Sequence, residues 1–274
     1  MRVHAISTGT VRVTERQRRG AGPARPLRTM LDRNWTDPLP IWAWAIEHPE
    51  GVILVDTGET ARAAEAGWFP RWHPYFRLAV RIAVRPEEEI GPQLRERGIE
   101  PKDVRRVVLT HLHTDHSGGL DHFESSEILV SEAEYRYASG RMGQARGFLP
   151  HRWPEWFAPS TFELEPEPFG PFPESLPITE AGDVRIVPTR GHTPGHVSVV
   201  VDEGDQLLFL AGDTSYSEEL LVDDAIDGVC PDPRAARESM ARIRELAERR
   251  PTVYLPSHDP GAAERLEQRR RLTP

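Results

Sequence analysis

The sequence predicts an α/β fold, and two observations carry that prediction. Short apolar runs alternate along the chain with stretches of helical periodicity. Several of the runs end directly on His, Asp or Gly, as strands do when they deliver functional groups to one edge of a sheet. With 274 residues, 38% of them hydrophobic, the chain has material for a sizeable core. A single domain over residues 1–274 is expected.

Ile41 to Glu47 and Val52 to Val55 read as strands, joined by Pro49-Glu50-Gly51 into a hairpin. Glu87 to Arg97 is a charged helix with Ile90 and Leu94 on its apolar side, stopped by Gly98. Val104 to Leu109 loses alternation at its end, so it is expected to be buried on both faces. Ile128 to Val130 is a short strand, and Ser131 is placed to cap the helix after it. Residues 140–180 break the rhythm with Pro and with Phe148, Trp153, Trp156, Phe157 and Phe162. This aromatic, Pro-rich stretch reads as an irregular insertion that packs its own rings, or as a lid over a pocket. Strands return at Val184 to Val187, Val197 to Val201 and Leu207 to Leu210, the last two joined by a turn at Asp202-Glu203-Gly204-Asp205. Arg234 to Arg249 is the longest helical pattern, with Met240, Ile243 and Leu246 on one side. Thr252 to Leu255 is the last strand and leads to Ser257-His258-Asp259. Arg12 to Arg33 reads as a solvated loop, with contact to an anionic partner as the other reading.

The net charge of −9 argues against general affinity for nucleic acid or acidic membranes. Cys230 is the only cysteine, which excludes an intramolecular disulfide and any Cys-rich zinc ribbon, and it reads as a small buried hydrophobe. Residues 1–19 lack the apolar segment of a signal peptide, and no run approaches the ~20 apolar residues of a membrane span. A cytoplasmic protein is the expectation.

His111-Leu112-His113-Thr114-Asp115-His116 is the densest chemical signal in the chain. Three imidazoles and a carboxylate follow an apolar strand within six residues, and both groups are good ligands for zinc and its neighbours. His192, Asp213 and His258 each follow a later strand, so all seven can meet at one cleft. His111 and His113, two apart in an extended segment, can grip one ion with His192. Gly118 and Gly119 are expected to turn the chain sharply and re-aim Asp115 and His116 toward a second ion, shared with His258. Asp213, with two oxygens, is the natural bridge. Two divalent cations against two carboxylates and a hydroxide leave a small positive excess, suited to polarising a carbonyl or phosphoryl oxygen.

Val55-Asp56-Thr57-Gly58, His111 to His116, Gly191 to His196, Gly212-Asp213 and His258, in this order, resemble the metallo-β-lactamase superfamily. The resemblance implies a four-layer αβ/βα sandwich with a two-metal site between the sheet edges. It implies that Asp56 steadies the ligand loop, besides serving as a turn residue before Gly58, and that His196 gives a supporting hydrogen bond rather than a metal bond. Cys230 falls between Asp213 and His258, where a Cys-containing β-lactamase would not place its ligand, and His113 stands where flavodiiron proteins carry Glu. A glyoxalase II-like enzyme is weakened by the single Lys and the short tail after His258, and an RNA-processing nuclease by the negative charge.

Asp213-Thr214-Ser215-Tyr216 is similar to the N-acyl-homoserine lactone lactonases, the quorum-quenching branch. That resemblance implies that the Tyr216 hydroxyl orients the lactone carbonyl and stabilises the oxyanion, against the plainer reading that Tyr216 packs in a loop. The expected function is a dinuclear metal-dependent lactonase acting by attack of a metal-bridging hydroxide, with Asp115 as ligand and proton shuttle. The expected cofactor is two divalent ions, zinc first, with Fe, Co or Mn acceptable to the same donors. Its partner is a small lactone or ester, with no nucleic acid or membrane involved. An organophosphate, aryl-ester or glyoxalase II-like thioester hydrolase is the alternative on the same scaffold, and a non-catalytic metal-binding sensor a more distant one.

Overall fold

The computed structural model describes residues 1–274 and contains two mixed β-sheets flanked by helices. Strands β1 (Arg2–Val13), β2 (Leu39–His48), β3 (Gly51–Val55), β4 (Val80–Ala83), β5 (Val104–Val108), β6 (Glu127–Ser131) and β7 (Ser160–Phe162) form the first sheet. Its order is β4-β1-β2-β3-β5-β6-β7. Strands β8 (Leu176–Pro177), β9 (Val184–Pro188), β10 (Val197–Asp202), β11 (Leu207–Gly212) and β12 (Thr252–Pro256) form the second, in the order β12-β11-β10-β9-β8.

Alternation along the strands builds the four layers. Trp44, Ile46, Val55 and Val108 point from the first sheet into a core shared with Ile186, Val199, Leu208, Leu210 and Leu255 of the second. The intervening Ala43, Ala45, Leu54 and Val107 face outward, onto Ile90 and Leu94 of the helix Ile90–Arg95 and onto Phe123. On the opposite outer face, Val200, Phe209 and Tyr254 pack against Met240, Ile243 and Leu246 of the helix Pro233–Arg249. This is the αβ/βα sandwich, and the period-2 pattern of the strands set against the period-3.6 pattern of the helices produces it. No helix is long and apolar enough to cross a membrane.

Strand direction places the functional edge. β3 and β5 run parallel, so the segments after Val55 and Val108 leave at the same edge. β9 and β11 both pair antiparallel with β10, and β12 is parallel to β11. The segments carrying His192, Asp213 and His258 therefore also leave at one edge. The two edges are stitched together where Val197 N–H donates to the Thr110 carbonyl and Trp42 N–H to that of Ser257.

Four local expectations change. Residues 140–180 are irregular in part, but they supply β7 and β8, the outer strand of each sheet. Trp153 and Phe157 pack with Tyr135 on the outer face of the first sheet, while Phe148 is fully buried beside the His cluster. Arg12 to Arg33 is no solvated loop: it holds the end of β1 and helical segments at Glu15–Arg18 and Arg25–Leu31. Its Arg heads reach solvent, while Gln17 and Thr29 are buried and the Gln17 carbonyl accepts from Gly228 N–H at the far side of the cleft. Ser131 occupies the N-cap position, but its side chain makes no capping bond. Gly118 and Gly119 both have negative φ, so left-handed backbone is not their purpose. A Cβ would lie 2.4 Å from Glu59 Oε1 at Gly118 and 2.4 Å from the Thr57 carbonyl at Gly119. Close packing under the His cluster requires them.

Candidate metal centre

All seven side chains singled out in the sequence converge. His111, His113 and His192 form one group whose nitrogens lie within 4.8 Å of one another. Asp115, His116 and His258 form a second, and Asp213 joins His111 and His116 in a third. Asp213 straddles the first two groups: its Oδ2 is 3.5 Å from His192 Nε2, and its Oδ1 is 3.3 Å from both His116 Nε2 and His258 Nε2. Asp115 Oδ2 lies 3.4 Å from His258 Nε2. His113 occupies the N-cap position of the helical turn Thr114–Ser117, and that turn sets Asp115 and His116 beside His258.

Four of the five imidazoles are oriented from behind. His116 Nδ1 donates to Asp56 Oδ2 at 2.8 Å, and His192 Nδ1 to Asp227 Oδ2 at 3.0 Å. His258 Nδ1 donates to the Pro40 carbonyl at 2.9 Å. His111 Nδ1 donates to Thr110 Oγ1, whose own proton goes to Asp56. These bonds fix the tautomers, so the Nε2 lone pairs of four histidines aim at the centre. His113 alone presents Nδ1, at 2.9 Å from His111 Nε2 and 3.0 Å from His192 Nε2. One Nδ1 proton can satisfy only one of those neighbours, which leaves lone pairs facing each other. His116 Nε2 and Asp213 Oδ1 are buried with no hydrogen-bond partner. A bare lone-pair cluster of this kind is costly in a buried site, and cations satisfy it. The donors present fit divalent metal ions.

The electrostatics agree. Burial and the neighbouring imidazoles hold His111 and His113 well below the usual histidine range, so both stay neutral donors. Burial also opposes charge on His116 and His192, but Asp213 with Asp56 outweighs it at the first, and Asp227 with Asp213 at the second. His116 is raised well above the ordinary value and His192 to about 9. Burial would raise Asp213, yet His258 and His116 hold its carboxyl well below the usual range. A buried carboxylate in a ring of imidazoles draws positive charge inward.

The supporting residues divide into those anticipated and those missed. Asp56 adopts φ +60° and accepts from Thr110 N–H at 2.8 Å as well as from His116, so it fixes the loop that carries the cluster. His196, lowered to about 3 by burial and by His192, accepts the Asp213 N–H at Nε2. Cys230 is buried, donates its thiol to the Gly191 carbonyl, and stands apart from the seven. Asp227 and Glu134 escaped the sequence reading. Glu134 is buried and ties the two His loops together, accepting from Leu112 N–H at 3.1 Å and Thr193 Oγ1 at 2.5 Å. Neither sits in a motif; an acid on an otherwise amphipathic helix was the only trace of Glu134.

A cavity of about 370 Å³ opens onto the centre. His113, Asp115, His192, Asp213, Tyr216 and His258 form its floor, and Val11, Met30, Phe76, Ile82 and Phe148 line apolar walls. Tyr216 lies at this floor and not in a remote loop, its ring stacked on His258 at 5.4 Å. Burial and the nearby Tyr75 and Asp213 raise its hydroxyl well above the usual phenol range, which keeps it a donor.

The chain belongs to the metallo-beta-lactamase superfamily, whose family model matches residues 36–258. Within it, the chain is similar to an N-acyl homoserine lactonase of Bacillus thuringiensis, 29% identical over 230 residues that cover 81% of this chain and 82% of the relative. An N-acyl homoserine lactonase of Bacillus cereus is 26% identical over 85% of this chain and 90% of its own. Among solved structures, an N-acyl homoserine lactone hydrolase with N-hexanoyl-L-homoserine at its catalytic metal centre superposes with TM-score 0.78, at 24% identity, over 99% of this chain and 97% of that one. AidC, a dizinc quorum-quenching lactonase, superposes with TM-score 0.66 at 17% identity, over 94% of this chain and 87% of its own.

Proposed function

We propose that this protein is a dinuclear metal-dependent lactonase that opens the ring of N-acyl-homoserine lactones. The observation that carries the proposal is Asp213, with one oxygen toward His192 of the first triad and the other toward His116 and His258 of the second. The apolar cavity over that centre supports a substrate with an acyl tail, as do the lactonases among its relatives. His111, His113 and His192 would hold one cation, Asp115, His116 and His258 the other, with Asp213 between them. Zinc is the ion we assign, because imidazole and carboxylate donors suit it.

Bound at these residues, the cations would supply Lewis acidity and an activated water. The chain supplies the rest. Asp115, partly exposed at the cavity floor, takes the proton released on attack at the ester carbonyl and returns it to the leaving alkoxide. Tyr216 donates to the oxygen on which charge develops, from a phenol that burial keeps protonated. Apolar walls exclude competing water from the acyl end. The product is a ring-opened hydroxy acid.

The test is a substrate panel of N-acyl-homoserine lactones, paraoxon-like triesters and S-lactoylglutathione, run on protein of measured metal content. The lactones should turn over fastest. Asp115→Asn should lose at least about 100-fold in kcat and Tyr216→Phe about tenfold or more. Preferred hydrolysis of the triester or thioester would overturn the assignment, as would an Asp115→Asn variant with full metal and full activity.

A further inference from the structure

The N-terminal Arg-rich segment delivers one buried polar side chain to the cavity, Gln17. Its Nε2 donates to two phenol oxygens, Tyr75 Oη at 2.8 Å and Tyr216 Oη at 2.9 Å. All three residues line the same cavity as the metal-centre residues. The amide orientation follows from counting. As it stands, both N–H donors are used and only Oε1 is left without a partner. Reversed, two buried N–H groups would lack acceptors, a larger deficit.

This arrangement determines what the phenols can do. Each hydroxyl spends one acceptor lone pair on Gln17 and keeps its own proton for another acceptor. A phenol is protonated at neutral pH, so both hydroxyls remain donors. Because they share one nitrogen, the two oxygens are no more than about 5.7 Å apart. Tyr216 is committed to the scissile carbonyl in the reading above. Tyr75 is then a second donor, a few ångströms further along the cavity. An N-acyl-homoserine lactone carries a second carbonyl at that distance, on the amide nitrogen beside the ring carbonyl. An unsubstituted γ-lactone has none.

We propose that Gln17 is a positioning residue that presents Tyr75 and Tyr216 as a two-donor fork, and that Tyr75 selects lactones bearing an acylamino group beside the scissile carbonyl. The proposal rests on the lactonase reading. Gln17 is itself anchored by Gly228 N–H donating to its carbonyl, next to the Asp227 that holds His192. The fork and the metal centre thus share one support.

The experiment measures kcat and KM for N-hexanoyl-homoserine lactone and for γ-decalactone. Proteins compared are the wild type, Tyr75→Phe, Tyr216→Phe, Gln17→Met, and Gln17→Met in a Tyr75→Phe/Tyr216→Phe background, each checked for melting temperature and metal content. Tyr75→Phe should lose about tenfold in kcat/KM on the acylamino lactone, the scale of one hydrogen bond, and stay within about twofold on γ-decalactone. Tyr216→Phe should lower kcat on both. Gln17→Met should reduce activity on both substrates in the wild type, yet add less than about twofold in the double-Phe background, which a merely structural role would not do. Equal loss on both substrates for Tyr75→Phe, or no loss on either, overturns the fork while the lactonase reading stands. A wild type that opens neither lactone removes both.

Discussion

Replacing Asp227 by Asn should loosen one of the two proposed cation sites and leave the other largely intact. Asp227 is buried, and its two oxygens have separate duties: Oδ2 accepts from His192 Nδ1 at 3.0 Å and Oδ1 from Val229 N–H at 2.8 Å. An Asn amide has one acceptor. If it keeps Val229, its NH2 faces the His192 N–H, donor against donor. If it turns round, the backbone N–H is stranded instead. Either way one hydrogen bond to a charged, buried carboxylate is lost, about 1.5–3 kcal/mol, which corresponds to roughly 10- to 100-fold in affinity. That matches the usual penalty for removing the carboxylate behind a metal-bound histidine. His192 belongs to the triad with His111 and His113, so the weakened ion is the one held there. Competition with a graded chelator series, with metal per chain read by elemental analysis, should show one equivalent released at markedly lower chelator concentration than in the wild type. The second should follow the wild-type curve. Two equivalents retained along the wild-type curve would refute the assignment of Asp227 as the support of His192.

Two further expectations concern the scaffold. Gly212 holds φ +56°, and a Cβ there would sit 2.7 Å from His196 Nε2 and 2.9 Å from Thr110 Cβ, so Gly212→Ala should destabilise the fold by about 2–4 kcal/mol; urea unfolding with a midpoint unchanged from the wild type would contradict this. Asp202 pairs with Arg250 through two bonds of 2.8 and 2.9 Å, and that guanidinium holds its carboxyl below the ordinary value despite partial burial. A depressed carboxylate stabilises above its unfolded pKa, near 4, and the contribution disappears as pH falls through the lower folded value. Asp202→Asn should therefore cost about 0.5 kcal/mol at neutral pH, the scale of a partly exposed pair, with the difference from wild type closing below pH 4; a difference that grows on acidification would be the wrong sign.

The parts of the molecule that were legible in the sequence are those written in local pattern. β5 runs through Val107-Val108 into an apolar Leu109, and β11 opens on the apolar run Leu207 to Leu210, so the placement of His111 and Asp213 just past strand ends could be read directly. The convergence of the two side-chain clusters, with Asp213 between them, follows from that placement. β1 was illegible because Arg, His, Ser and Thr interrupt its apolar positions; its burial comes from pairing with both β2 and β4. Gln17 was hidden for a related reason. It lies among Arg residues whose heads reach solvent, and contacts with residues distant in the chain, among them 226–228, turn that segment inward. The role of Asp227 depends on a partner 35 positions away in the chain, which no local spacing encodes. Gly118 and Gly119 show a different limit: their identity was noticed, but the cause is the close approach of Glu59 and Thr57 and not the backbone angle.

The most direct test of the central claim is to add zinc stepwise to metal-stripped protein and follow ring opening of N-hexanoyl-homoserine lactone by proton release. Two triads sharing Asp213 predict that activity rises until two equivalents are bound per chain and then levels off. Full activity at one equivalent, or no ring opening at two, would contradict a dinuclear lactonase.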